Sequence, residues 1–162
     1  MSEVPAVLVP SAPTENVSRG ALVALLAIPA AILAFVIVAW VFDLAGGTYP
    51  LLAIAVAFLV PNITAWLYTK GAGAKLSSAG RLWFILISLV AVLLGAVASV
   101  IATAYFAFTR VGGDGGLFGS AFATTVGNKL GSMDLVVPLG IAVVLGIVSI
   151  FLTLRQKTPA QT

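Results

Sequence analysis

The chain alternates long uncharged apolar runs with short polar stretches. Four runs, at residues 20–42, 50–69, 82–108 and 135–154, contain no Asp, Glu, Lys or Arg. Each reaches the roughly 20 residues that a helix needs to cross a hydrocarbon core of about 30 Å. Backbone groups in lipid must find partners within the chain, and the runs lack the alternation of barrel strands, so they are predicted as helices. The third run would extend about 40 Å at about 1.5 Å per residue, so it must tilt or project beyond the bilayer. The expected fold is an all-α integral membrane four-helix bundle over residues 19–155. Residues 1–18, with Pro5, Pro10 and Pro13 and no apolar period, and residues 156–162 are expected to be cytoplasmic tails. The first run is too long for a cleaved signal sequence and reads as an uncleaved anchor.

Prolines interrupt this pattern at defined places. Pro29 and Pro61 fall inside the first two runs, where each removes an N–H donor and presses on the carbonyl four residues earlier, so both predict kinks. Pro138 falls in the first turn of the fourth run if Asp134 is its N-cap. The long connection after Thr109 ends in Phe118, Phe122, Val126 and Leu130 at i+4 spacing, the pattern of a short interfacial helix on the outer leaflet or over the bundle end.

Composition explains why lipid must surround the chain. Hydrophobic residues make up 61% and charged residues 8%, against about 25% charged in soluble domains. The net charge of +3 arises from a few cations in loops and tails, which excludes a nucleic-acid interface and fits the positive-inside rule. Arg19, Lys70, Lys75, Arg81, Arg155 and Lys157 fall on one side and only Arg110 and Lys129 on the other, predicting that both termini are cytoplasmic. Lys70, Lys75 and Arg81 form a basic hairpin loop expected to meet anionic lipid headgroups. Trp66, Tyr68 and Trp83 at one level and Trp40, Tyr49 and Tyr105 at the other read as interfacial anchors.

Candidate chemistry is sparse. With no Cys and no His, disulfides, thiolate nucleophiles, imidazole bases and most transition-metal ligation are excluded. The glycine-rich stretch Arg110–Gly119 lacks the Gly-Lys-Ser/Thr ending of a phosphate loop, and Asp114 stands without the spaced acids of a calcium loop. Asp43, Arg110 and Asp134 border helix ends and are expected to form a salt-bridged rim rather than an active site. No catalytic, cofactor or metal residues are therefore assigned. The strongest polar group within any span is Asn62, beside Pro61 and followed by Thr64, and these three are the candidate intramembrane polar site.

Small residues mark the packing surfaces, because association in lipid depends on close backbone approach and interhelical hydrogen bonds. Ala91, Gly95, Ser99, Thr103 and Ala107 follow one another at i+4 in the third run, which is expected to be the central packing helix. The fourth run offers Ala142, Gly146, Ser149 and Thr153, and the first Ala24, Ala27, Ala31 and Ala34.

The stretch from Tyr68 to Gly80, with Lys75-Leu-Ser-Ser-Ala-Gly80 between two apolar helices, resembles small multi-pass proteins of bacterial plasma membranes in which a glycine-containing Lys-Leu-Ser turn joins two helices. The resemblance implies a bacterial plasma-membrane setting and no particular activity. The expected function is that of a non-enzymatic accessory or self-associating membrane subunit, with lipids, further copies or a larger complex as partners. The alternative is a small transporter, flippase component or pore built around Pro29, Pro61 and Asn62.

Overall fold

A computed structural model describes residues 14–45, 50–112 and 119–157. The described residues form six helices and no strand: α1 (Val17–Ala24), α2 (Ala27–Ala45), α3 (Pro50–Ala72), α4 (Ser78–Arg110), α5 (Ser120–Leu130) and α6 (Met133–Lys157). Four stretches are long and apolar enough to cross a membrane, namely Val17–Val41, Leu51–Ala72, Ser78–Arg110 and Val136–Gln156.

The first span is α1 and α2 in series, broken at Leu25 and Leu26. Pro29 is the cause. Its ring displaces the Leu25 carbonyl from the regular ladder, and that carbonyl instead accepts from the Ile28 N–H at 3.1 Å, while the Leu26 N–H donates to Val23 at 3.2 Å. Both are the shorter i→i+3 bonds of a tightened turn. Pro61 has the same covalent defect, yet α3 runs unbroken through it. There the orphaned acceptor is the Ala57 carbonyl, and α6 covers it so closely that a Cβ at Gly146 would stand 3.3 Å from the oxygen. Packing at Pro61 shields what the Pro29 turn must redirect.

α2 packs most extensively on α4, and α3 on α6, while α4 touches every other helix. Glycine sets how near the helices come. A Cβ at Gly95 of α4 would fall 2.4 Å from the Phe35 ring of α2, and one at Gly146 of α6 would fall 3.0 Å from Val92. Of the residues in the predicted α4 stripe, Ala91, Gly95 and Ser99 are buried, whereas Thr103 and Ala107 are only partly so. Successive i+4 steps drift about 40° around a helix of 3.6 residues per turn, so beyond Ser99 the buried row passes to Ala104 and Phe108.

α5 covers the far end of α4. Phe122 meets Phe108 edge to face with centroids 5.7 Å apart and planes at 74°, and Ala104 and Val126 complete the cluster. Phe118, placed on the same face by its spacing, lies outside the described residues, and Leu130 is exposed.

Three sequence expectations change here. α6 begins at Met133, so Asp134 belongs to its first turn rather than capping it, and Pro138 lies inside the helix. Of the expected N-terminal tail, residues 17 and 18 belong to α1 and Asn16 caps it by accepting from the Arg19 N–H at 3.0 Å, while residues 1–13 lie outside the described residues. At the other terminus α6 continues to Lys157, taking in the first two residues of the expected tail.

Candidate functional site

The polar groups of the bundle gather at three places. The first is a seam between α3 and α6 around Pro61. Ser149 Oγ donates to the Phe58 carbonyl at 2.7 Å, Asn62 Nδ2 donates to the same oxygen at 3.1 Å, and Thr153 Oγ1 donates to Asn62 Oδ1 at 3.3 Å. Ser149, Thr153 and Pro61 are buried, whereas Asn62 is exposed. α3 and α6 run parallel, since Phe58 and Asn62 pair in order with Ser149 and Thr153. Interhelical bonds of this kind hold helices together where lipid supplies no hydrophobic drive.

Of the predicted polar site, Asn62 and Pro61 belong to the seam and Thr64 does not. Thr64 is fully buried and returns its hydroxyl to the Val60 carbonyl of its own helix at 2.8 Å, because a residue two positions from Asn62 lies on another face. Asn62 is the thirteenth of the 23 residues of α3, near the middle of the helix.

The second place is a junction that the sequence does not announce. Glu15, just before α1, accepts the Tyr68 hydroxyl at 2.9 Å through one carboxylate oxygen and the Ser77 N–H at 3.1 Å through the other. The Asn16 N–H donates to the Ala72 carbonyl at 3.1 Å. Tyr68 is therefore no interfacial anchor: its side chain is fully buried against Gly20 and Gly80, where added Cβ atoms would stand 2.9 Å and 2.6 Å from it. The nearby signal is glycine at 20 and 80, where α1 and α4 meet the ring, and at 71, where α3 meets the Arg19 carbonyl and Val23 of α1. Trp40, Trp66, Trp83 and Tyr105 are exposed, as anchors require, and Tyr49 lies outside the described residues.

The basic loop joins this junction. Gly73 turns the chain at φ +70°, a conformation that glycine adopts without Cβ strain, and Ser77 caps α4 by accepting from the Gly80 N–H at 3.1 Å. Lys70 and Lys75 are exposed and Arg81 is half-buried.

The third place is the opposite end, where Arg110 forms an ion pair with Asp43 at 3.0 Å and also donates to the Asp43 carbonyl. The side chain of Asp134, the third member of the predicted rim, lies outside the described residues, as do residues 113–118 of the glycine-rich connection.

The chain matches no known family model, no curated protein and no solved structure.

Two further features complete the interior. An apolar crevice of about 100 Å³ separates α2 from α3, lined by Ala27, Ala30, Ala31 and Ala34 on one side and Val56, Leu59, Val60 and Ile63 on the other. On α4, the buried hydroxyls of Ser88 and Ser99 have no hydrogen-bond partner among the described residues. Spacings of seven and four residues put both on the face that carries Gly95. What the arrangement can do chemically is hold helices in register and present one amide at mid-span.

Proposed function

We propose that the protein is a non-enzymatic subunit of a membrane assembly, accessory to a larger complex or self-associating, in a bacterial plasma membrane with both termini in the cytoplasm. The reading rests on Asn62, whose amide stands exposed at the middle of a membrane-spanning helix. Its bonds to Phe58 and Thr153 use only part of the amide, and polar capacity left against acyl chains is costly and favours contact with another protein surface. The bias of six cations to two supports the orientation. The exposed Lys70 and Lys75 suit anionic headgroups at about 1 kcal/mol each.

Mild extraction from native membranes followed by cross-linking tests the assembly reading. Recovery in a complex larger than one 16.5 kDa chain is the expected result, and a strict monomer with no cross-linked partner overturns it. A C-terminal reporter active only outside the cytoplasm overturns the orientation.

A transporter or pore is the second reading, favoured by the break before Pro29 and by an amide beside Pro61. Its test is flux: Asn62→Leu that leaves every measured transport and growth phenotype unchanged removes it.

A further inference from the structure

The outward face of α3 carries a repeating pattern of exposed residues, of which the bundle engages Asn62 through Thr153. Leu52, Ala55, Leu59, Asn62 and Trp66 are all exposed, and their spacing of three, four, three and four residues is that of a seam between two parallel helices. Asn62 lies one turn beyond Leu59, the centre of this seam.

Its amide is only partly satisfied. The Phe58 carbonyl that accepts from Asn62 Nδ2 also accepts from Ser149, and in a regular helix it is already the acceptor of the Asn62 backbone N–H. Asn62 Oδ1 receives one long bond from Thr153. An amide offers two donors and two acceptor positions, so one N–H and one lone pair remain beyond these bonds. Acyl chains cannot satisfy them. Headgroups lie roughly 15 Å away along the helix on either side.

An amide is complementary to itself. Two copies inserted with the same topology in one membrane bring equal residues to equal depth, so a two-fold axis along the membrane normal sets Asn62 opposite Asn62. We infer that the α3 face is a homodimer interface in which the two Asn62 amides exchange hydrogen bonds between parallel α3 helices. Leu52, Ala55, Leu59 and Trp66 pack around the pair, and the crevice beside Leu59 and Ile63, floored by the alanines of α2, receives an apolar side chain of the second copy. This inference rests on the association reading above and specifies its partner and surface.

The chain contains no cysteine, so single-cysteine variants of the full protein in lipid bilayers report proximity directly. Leu52→Cys and Leu59→Cys are expected to give disulfide-linked dimers on oxidation, whereas Val97→Cys on α4 and Val144→Cys on α6, also exposed, are not. In the Leu59→Cys background, Asn62→Leu is expected to weaken dimerisation about tenfold, and Asn62→Gln to retain it. Thr153→Val removes the same bond within the bundle but leaves the amide, so in the Leu59→Cys background it is expected to keep the dimer, which separates lost association from a weakened fold. Cross-linking confined to α4 or α6 overturns this interface while leaving self-association standing. A chain that cross-links only to a different protein overturns the homodimer and supports the accessory reading. A monomer without any partner overturns both.

Discussion

The Phe35 ring of α2 packs against Gly95 in α4, leaving no room for a Cβ, which would stand 2.4 Å from the ring. Both residues are buried. The contact joins the most extensively packed helix pair of the bundle, so α2 and α4 are spaced by a ring seated over a glycine. Gly95→Ala is expected to destabilise the protein by about 1–3 kcal/mol through overpacking. Thermal melting in detergent measures it. Phe35→Leu in the same chain should recover part of the loss, because a narrower side chain makes room, and a Gly95→Ala variant as stable as the wild type would contradict the packing described.

On the same face of α4 the expected effect has the opposite sign. Ser88 and Ser99 bury hydroxyls without a partner among the described residues, and an unpaired buried hydroxyl costs about 1–3 kcal/mol. Ser99→Ala removes the penalty at nearly constant shape and should raise the melting temperature, with Ser88→Ala behaving alike. A fall in stability for either variant would mean that the hydroxyl is in use, by a partner helix or a bound water.

The four spans and the break before Pro29 are legible in the sequence because they follow from local rules: run length sets the span, and a missing N–H opens the turn. The predicted stripe of Ala91, Gly95 and Ser99 is legible as far as three i+4 positions stay on one face. Helix rotation is not local. Ser149 and Thr153 stand out as small residues of α6, but nothing along the chain says that they meet Phe58 and Asn62. Tyr68 misleads for a related reason, since a tyrosine near a span end suits the headgroup level equally well. Its burial depends on Glu15, 53 residues away.

That distant pair is open to direct test. Glu15→Ala leaves the buried Tyr68 hydroxyl and the Ser77 N–H without their acceptor, and a loss of about 1–3 kcal/mol is expected. Tyr68→Phe removes the hydroxyl itself and should cost less. The two changes together should cost less than their sum, because they break a shared bond. Hydrogen exchange at Asn16, whose N–H is tied to Ala72, should quicken in Glu15→Ala. Unaltered exchange there would show that the segment before α1 does not depend on the carboxylate.

At the opposite end a small effect is expected despite a short contact. Arg110 is 55% exposed and Asp43 20%, and exposed ion pairs are worth about 0–1 kcal/mol and weaken as salt rises. Arg110→Ala should therefore lower stability by under about 1 kcal/mol at low salt, with most of the difference gone at about 1 M. A loss that persists in high salt would assign the role to the bond with the Asp43 carbonyl, which joins the ends of α2 and α4 without needing the carboxylate.

The seam between α3 and α6 calls for a cycle rather than single changes. Asn62→Leu alone removes both the bond from Thr153 and the competition for the Phe58 carbonyl, so its net cost mixes a loss with a relief. Thr153→Val removes only the first. Combining them isolates the Asn62–Thr153 coupling, expected near 0.6 kcal/mol and below about 1.7, as for other hydrogen bonds between membrane helices. Ser149→Ala should exceed either single change, because its 2.7 Å bond crosses directly to the α3 backbone. If Ser149→Ala is neutral while Asn62→Leu is costly, the amide rather than the serine holds α6 in register. Asn62 would then be a bundle-holding residue first, with less of its amide left for a second copy.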